Sequence, residues 1–367
     1  MALCGCQIGY LTESAIHQAE ILRRRVPIST VLKKTDLNPK IRHKLLLAQQ
    51  ARKFAETNLG LVHTDNYTTF VQLRHPYVTW AVSAAPKWEL KHYFWYFPIV
   101  GDVPYLGFFR ESEAKREAAK MAQKGYDTEM RGVSAYSTLG WFNDPLLSSM
   151  LAYRDYDLVN VIIHETVHAT LFIKNSADFN EQLAVFVANT GTEQFYLRKE
   201  GPKSKTVEKI KTENEDDRNF SLFIKREIAS LRRWYKKQPH PISEIIRQKR
   251  LAQIQSDFKT ELKPKLKTHD YDDFTKGKLN NARILDFETY FHNLSDFQKA
   301  DDIFKGSIPK LIAFCKTLRN SKNPAKKLRA FVEAHASQLN ESKSTSSKPL
   351  TPMKPRPSKE SKRPIHN

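Results

Sequence analysis

Five residues, His164-Glu165-Thr166-Val167-His168, carry the clearest chemistry in this chain. The spacing H-E-x-x-H sets two imidazoles four positions apart, and on a helix such positions lie one above the other on one face. His164 and His168 can therefore present two nitrogen ligands to one metal ion. Glu165 projects about 100° further round the axis, where it can reach a water molecule held in the metal's open position. The chemistry this predicts is hydrolysis by an activated water, with Glu165 as general base. With 12 histidines in 367 residues the pattern can arise by chance. The competing reading is a pair of ordinary helix histidines beside a solvated glutamate.

The elements that must position these groups are legible around them. Asp155 or Asp157 can cap a helix that Val159, Ile162, Ile163, Val167, Leu171 and Phe172 carry at helical spacing. Lys174 and Asn175 supply C-terminal signals. A catalytic zinc takes three protein ligands and leaves one position for water, so the expected cofactor is one Zn2+ ion and a third ligand is needed. Glu181, in Asn180-Glu181-Gln182-Leu183-Ala184, is the best candidate, on a second helix expected from Phe179 to Tyr196. Ala184 and Ala188 would let that helix approach the first closely. Asp178-x-x-Glu181 is also a capping-box arrangement, so Glu181 has a purely structural reading as well. Glu193, farther down the same helix, is the reserve. Two histidines followed by a glutamate on the next helix match the ligand order of the gluzincin metallopeptidases.

Several further segments carry a family likeness. They are Leu22-Arg23-Arg24-Arg25-Val26-Pro27-Ile28, Pro98-Ile99-Val100-Gly101, Ala135-Tyr136-Ser137-Thr138-Leu139-Gly140-Trp141-Phe142-Asn143-Asp144-Pro145-Leu146, Phe179-Asn180-Glu181 and Asn280-Asn281-Ala282. With the zinc motif they resemble the bacterial envelope proteins known as predicted aminopeptidases, which carry a gluzincin-type H-E-x-x-H, over about residues 5 to 320. The resemblance implies peptidase activity, and the aminopeptidase preference rests on it alone. It also implies a lipoprotein leader. Leu3-Cys4-Gly5-Cys6 resembles the end of a lipobox with Cys6 as the lipidated residue, yet five residues precede Cys6, too few for a signal peptide. The expectation is a start lying upstream and a lipid-anchored protein on the periplasmic side of the cell envelope. Without such a leader, the chain reads as cytoplasmic.

A chain of 367 residues can bury a large core, and 40% hydrophobic with 11% aromatic residues are globular values. No run approaches the 18 apolar residues of a membrane span. Three cysteines exclude a disulfide scaffold, and Cys315 falls in an apolar helical pattern as inert core. The formal net charge of +20 favours acidic surfaces such as anionic lipid headgroups. No nucleic-acid module is present, so no nucleic-acid partner is expected. From Asn340 to Asn367 there are seven Lys/Arg, two Glu, five Pro and six Ser, too polar a stretch to fold. Residues 336–367 therefore read as a disordered basic tail. The expected partners are a peptide substrate and, through the tail or a lipid anchor, a membrane surface. The expected state is a monomer.

The remaining organisation is α+β, mainly helical and zincin-like, with a small mixed or antiparallel sheet and a helical C-terminal part. Residues 1–10 read as a remnant or mis-started lipoprotein signal and 11–335 as the metallopeptidase domain. Within it, 11–155 hold helices and sheet, 156–198 the zinc helices, 199–275 a charged helical hairpin and 276–335 further helices. Ile41, Leu45, Ala48, Phe54 and Leu59 mark a helical stripe. Strands are predicted over Thr68–Leu73, Val78–Ala84, His92–Phe97, Tyr105–Phe109 and Met130–Tyr136. Val133, Ser134 and Ala135 are the candidate edge-strand residues for holding an extended peptide. Trp141 and Phe142 either wall the pocket or staple a turn to the core. Tyr136 and Tyr290 are the candidate oxyanion donors, and His75, His92, His269 and His292 lack ligand spacing. Two rival functions stand beside peptide hydrolysis: a non-catalytic envelope-associated lipoprotein, and a zinc amidohydrolase acting on cell-wall peptides. Glu165 between the histidines disfavours the first, since a structural zinc site has no use for a base.

Overall fold

The computed structural model describes residues 5–97, 101–135, 143–239, 241–290 and 294–335. The chain opens with α1 (Gly5–Arg23), β1 (Val26–Pro27), α2 (Ile28–Leu32) and α3 (Pro39–Asn58). Two breaks divide this N-terminal helical region. Pro27 lacks the amide a helix interior needs, and Asn38 caps α3 by accepting from the Lys40 amide, with Pro39 in its first turn.

A strand-rich segment follows: β2 (Thr69–Val71), β3 (Thr79–Pro86), β4 (Trp95–Phe97), β5 (Gly101–Val103) and β6 (Tyr105–Phe108). Next come α4 (Glu111–Gln123), β7 (Tyr126–Val133) and β8 (Leu146–Leu147). The strands form three small groups. In β1-β2-β8 the first pair is antiparallel and the second parallel. In β6-β3-β7 both pairs are antiparallel. The third is the β4–β5 hairpin. The rest is helical: α5 (Asp155–Thr170), α6 (Ala177–Glu200), α7 (Lys205–Lys237), α8 (Glu244–Asp257), α9 (Asn281–Tyr290), α10 (Ser295–Ile303), α11 (Ile308–Thr317) and α12 (Pro324–Ala334). This is the mainly helical α+β class, with mixed and antiparallel sheets.

Two large apolar cores organise these elements. The first gathers α2, α3, β2, β8, α5, α6 and α10–α12. The second gathers the C-terminal half of α7 with α8 and α9, and reaches Ala85 at the end of β3. The 33-residue α7, about 50 Å long at 1.5 Å per residue, serves both: Val207 and Ile210 belong to the first core, Phe220 to Tyr235 to the second. Cys315 is buried in the first core, and burial pushes its thiol up to about 12, in keeping with an inert cysteine. No helix among the described residues is long and apolar enough to cross a membrane.

Candidate metal centre

Helix α5 forms because its apolar residues recur at helical spacing, and Tyr156, Leu158, Val159, Ile162, Ile163 and Val167 are all buried. Its N-cap residue is Arg154, and no side chain caps it. Asp155 lies inside the helix instead, paired to His43 and Lys44 of α3 at 2.6 and 2.7 Å, while Asp157 is held by Arg154. Both carboxylates still favour the positive end of the helix dipole. The helix also stops sooner than its apolar pattern suggests: Leu171 is extended and Asn175 takes a left-handed φ of 59°. A clasp closes the connection to α6. The buried Asn180 accepts from the Ile173 amide and donates to the Ile173 carbonyl, both at 2.9 Å. That clasp pins the residue immediately before Glu181.

Helices α5 and α6 pack through small residues. Ala184, Ala188 and Gly191 face inward on α6, and a Cβ at Gly191 would lie 2.6 Å from a Leu59 methyl and 3.4 Å from an Ile163 methyl. The glycine admits the close approach that brings α6 within reach of the α5 histidines.

At that approach the three predicted ligands meet. The Nε2 atoms of His164 and His168 are 3.1 Å apart, and Glu181 oxygens lie 3.5 Å from the first and 3.3 Å from the second. All three donors fall within 4.8 Å of one another. Donors about 2.0–2.1 Å from a tetrahedral zinc would sit about 3.3 Å apart, so the set fits one small divalent cation. The His168 side chain is 4% exposed and Glu181 47%, so the site is closed on one side and open on the other. His168 Nδ1 is buried with no hydrogen-bond partner among the described residues, which leaves the ring's affinity directed through Nε2.

Electrostatics agree with the geometry. Burial alone would lower the His168 pKa, but the hydrogen bond and charge of Glu181, with the charge of Glu165, raise it. Burial would likewise raise Glu181, yet its hydrogen bonds to His164 and His168 hold it well below the usual carboxylate range. Glu181 is therefore an ionised carboxylate placed as a candidate ligand, and its capping-box reading gives way: Asp178 sits within the first turn of α6 and no side chain caps that helix. Glu193 is elsewhere, accepting a hydrogen bond from Asn214 at 3.2 Å.

Val133 closes β7, an outer strand of its sheet, and its carbonyl accepts from the Val78 amide at 2.9 Å. The Ser134 carbonyl accepts from the Ser149 hydroxyl at 2.5 Å, and Ala135 packs on the first core. Tyr136, Trp141 and Phe142 lie outside the described residues, as do Cys6 and Tyr290 beyond their helical backbone. One turn before His164, Asn160 lines a polar cavity of about 170 Å³ shared with Arg154, Asp157, Asn189, Glu213 and Asp217. Two residues near Glu165 escaped the sequence reading, Tyr67 and Tyr153. Burial first pushes both phenols up, helped by the Glu165 charge at Tyr67 and by the Asp157 and then Glu165 charges at Tyr153, so both are neutral donors. The signal for Tyr67 is a backbone angle, which no residue spacing encodes.

A family model described as "Putative aminopeptidase" matches residues 9–330. No curated protein and no solved structure matches the chain. The matched span takes in both cores and all three clustered donors, and the chain belongs to this Putative aminopeptidase family.

Proposed function

We propose that the protein is a zinc-dependent aminopeptidase of the gluzincin type. The observation that carries this reading is the meeting of His164, His168 and Glu181 within 4.8 Å, with Glu165 on the next position of α5. Each imidazole would hold the ion through Nε2, and Glu181 through a carboxylate oxygen. The chemistry zinc supplies in such a site is polarisation of the scissile carbonyl and a lowered pKa for water. Glu165 takes the proton from the attacking water and hands it to the leaving amine. The open side of the cluster, marked by the half-exposed Glu181, is where a peptide enters. Preference for a free amino end is supported by the family.

The test is Glu165→Gln. Because the three ligands remain, bound zinc should stay at one ion per chain by mass spectrometry. Hydrolysis of free-amino peptides should fall about 10²–10⁴-fold, the usual worth of a positioned base. Full activity in this variant defeats the assignment, and equal cleavage of N-blocked peptides by the unaltered protein defeats the end preference.

A further inference from the structure

Helix α8 turns a charged side chain inward and apolar ones outward. Its inner face carries Arg247, Leu251 and Ile254, all buried, while Ile245 and Ile246 at its start are 82% and 53% exposed. Ile245 is the most exposed large hydrophobic side chain among the described residues. At about 100° per residue, positions 245 and 246 stand about 200° and 100° round the axis from the buried Arg247. Ile242, just before the helix, enters the second core instead. Single apolar side chains are ordinary on a protein surface. Two adjacent isoleucines at a helix start, next to the exposed Pro239 and Pro241, make a small convex apolar tip.

The charge around this tip is of one sign. Residues 231–250 hold seven Lys/Arg and a single acidic residue, Glu244, whose two oxygens are occupied by Arg247 at 2.8 Å. Arg232 and Arg250 are engaged by Glu288 and Glu227. Arg233, Lys236, Lys237 and Lys249 are exposed and form no ion pair among the described residues. The tip also stands away from the metal centre. Lys237 lies about 40 Å along α7 from Ile210 of the first core, at 1.5 Å per residue.

The geometry points to the α7–α8 turn as a docking tip for an anionic lipid surface, with Ile245 and Ile246 entering the interface and the four exposed cations resting on headgroups. The two kinds of side chain contribute separately. Isoleucine stabilises the contact by leaving water, and each cation by its attraction to anionic headgroups within a Debye length of the surface. A convex tip suits a fluid surface, which shapes itself round two side chains, whereas a protein partner needs a matching pocket. Nucleic acid matches the charge, but its phosphate backbone offers the isoleucines nothing apolar. The docking tip requires neither a metal nor Glu165, so it stands apart from the peptidase reading.

Co-sedimentation of the full chain with vesicles tests this. Vesicles of phosphatidylcholine and phosphatidylglycerol in equal parts should retain the protein, and vesicles of phosphatidylcholine alone should not. The double variant Ile245→Ser with Ile246→Ser should bind the mixed vesicles about tenfold more weakly, through lost apolar burial. Lys236→Gln with Lys237→Gln should weaken binding by roughly 10–30-fold. Both variants keep the basic tail, so any attraction from it is common to all the proteins compared. All four side chains are exposed, so both variants should melt with the original. Should the isoleucine pair melt lower, Ile245→Asn alone must still weaken binding. Unaltered binding in the isoleucine variant overturns the docking tip, even where the lysine variant binds poorly, because charge alone then holds the protein. So does failure of the original chain to bind the mixed vesicles. Retention on poly-aspartate without retention on vesicles would identify an acidic polypeptide and defeat the lipid assignment.

Discussion

In the second core, Arg247 is 1% exposed and every arm of its guanidinium is occupied. It donates to both Asp127 oxygens at 2.7 and 3.1 Å and to both Glu244 oxygens at 2.8 Å. Asp127 also accepts from the Asn281 amide, and Asn281 accepts from Tyr235 and donates to the Pro86 carbonyl, each at 2.8 Å. In the first core, His164, His168 and Glu181 stand equally close, and all three turn a potential ligand atom to one small region. The two clusters use similar residues to opposite ends. Where donors and acceptors alternate, buried charge becomes a strut that ties β7 to α8 and α9. Where two imidazoles and a carboxylate converge, the cluster is a possible cation-binding set.

The contrast can be broken from either side. The largest effect is expected from Glu181→Ala, which should weaken zinc binding by more than the roughly 10–100-fold that loss of an outer-shell partner costs. Isothermal titration checks it, and normal zinc affinity would return Glu181 to a packing role. Asp127→Ala strands the Arg247 charge and should cost about 3–5 kcal/mol in urea unfolding. The surviving folded protein should still bind zinc normally, because the strut lies in the other core. Metal lost in proportion to stability would merge the two regions into one.

Asp301 sharpens the comparison most gently. It is buried on α10, its Oδ1 has no hydrogen-bond partner among the described residues, and burial and the Asp302 charge raise it to about 6. A carboxyl with a folded pKa above its unfolded value stabilises the fold fully below about pH 4, and that contribution is lost as pH rises through about 6. Asp301→Asn should therefore raise stability at pH 8 by up to about 3 kcal/mol and change little at pH 4. Melting curves at the two pH values decide, and a gain of equal size at both would assign the effect to packing.

Sequence spacing made much of the site legible because the helix repeat converts number into direction: His164 and His168 had to share a face. Glu181 was legible only as a candidate, since a carboxylate three residues after Asp178 fits a cap or a ligand equally well. The inner faces of α5 and α6 followed from their buried apolar positions, as did most strands. Element ends were less faithful. The pattern in Leu171 and Phe172 continued the helix on paper, but Leu171 is already extended, and Asn180 clasps Ile173 beyond it. Arg247 reads as a surface arginine in a charged helix, and its burial depends on Asp127, 120 residues away.

Residue order alone thus determined the mainly helical class, the two histidines on one turn-spaced stripe and the glutamate beside them, because these follow from local periodicity. Tertiary structure decided which carboxylate joins the histidines, which charged group becomes a strut, and that Tyr67 is pinned in a left-handed backbone angle. Those outcomes depend on segments far apart in the chain meeting at 3 Å, and no local rule carries that distance.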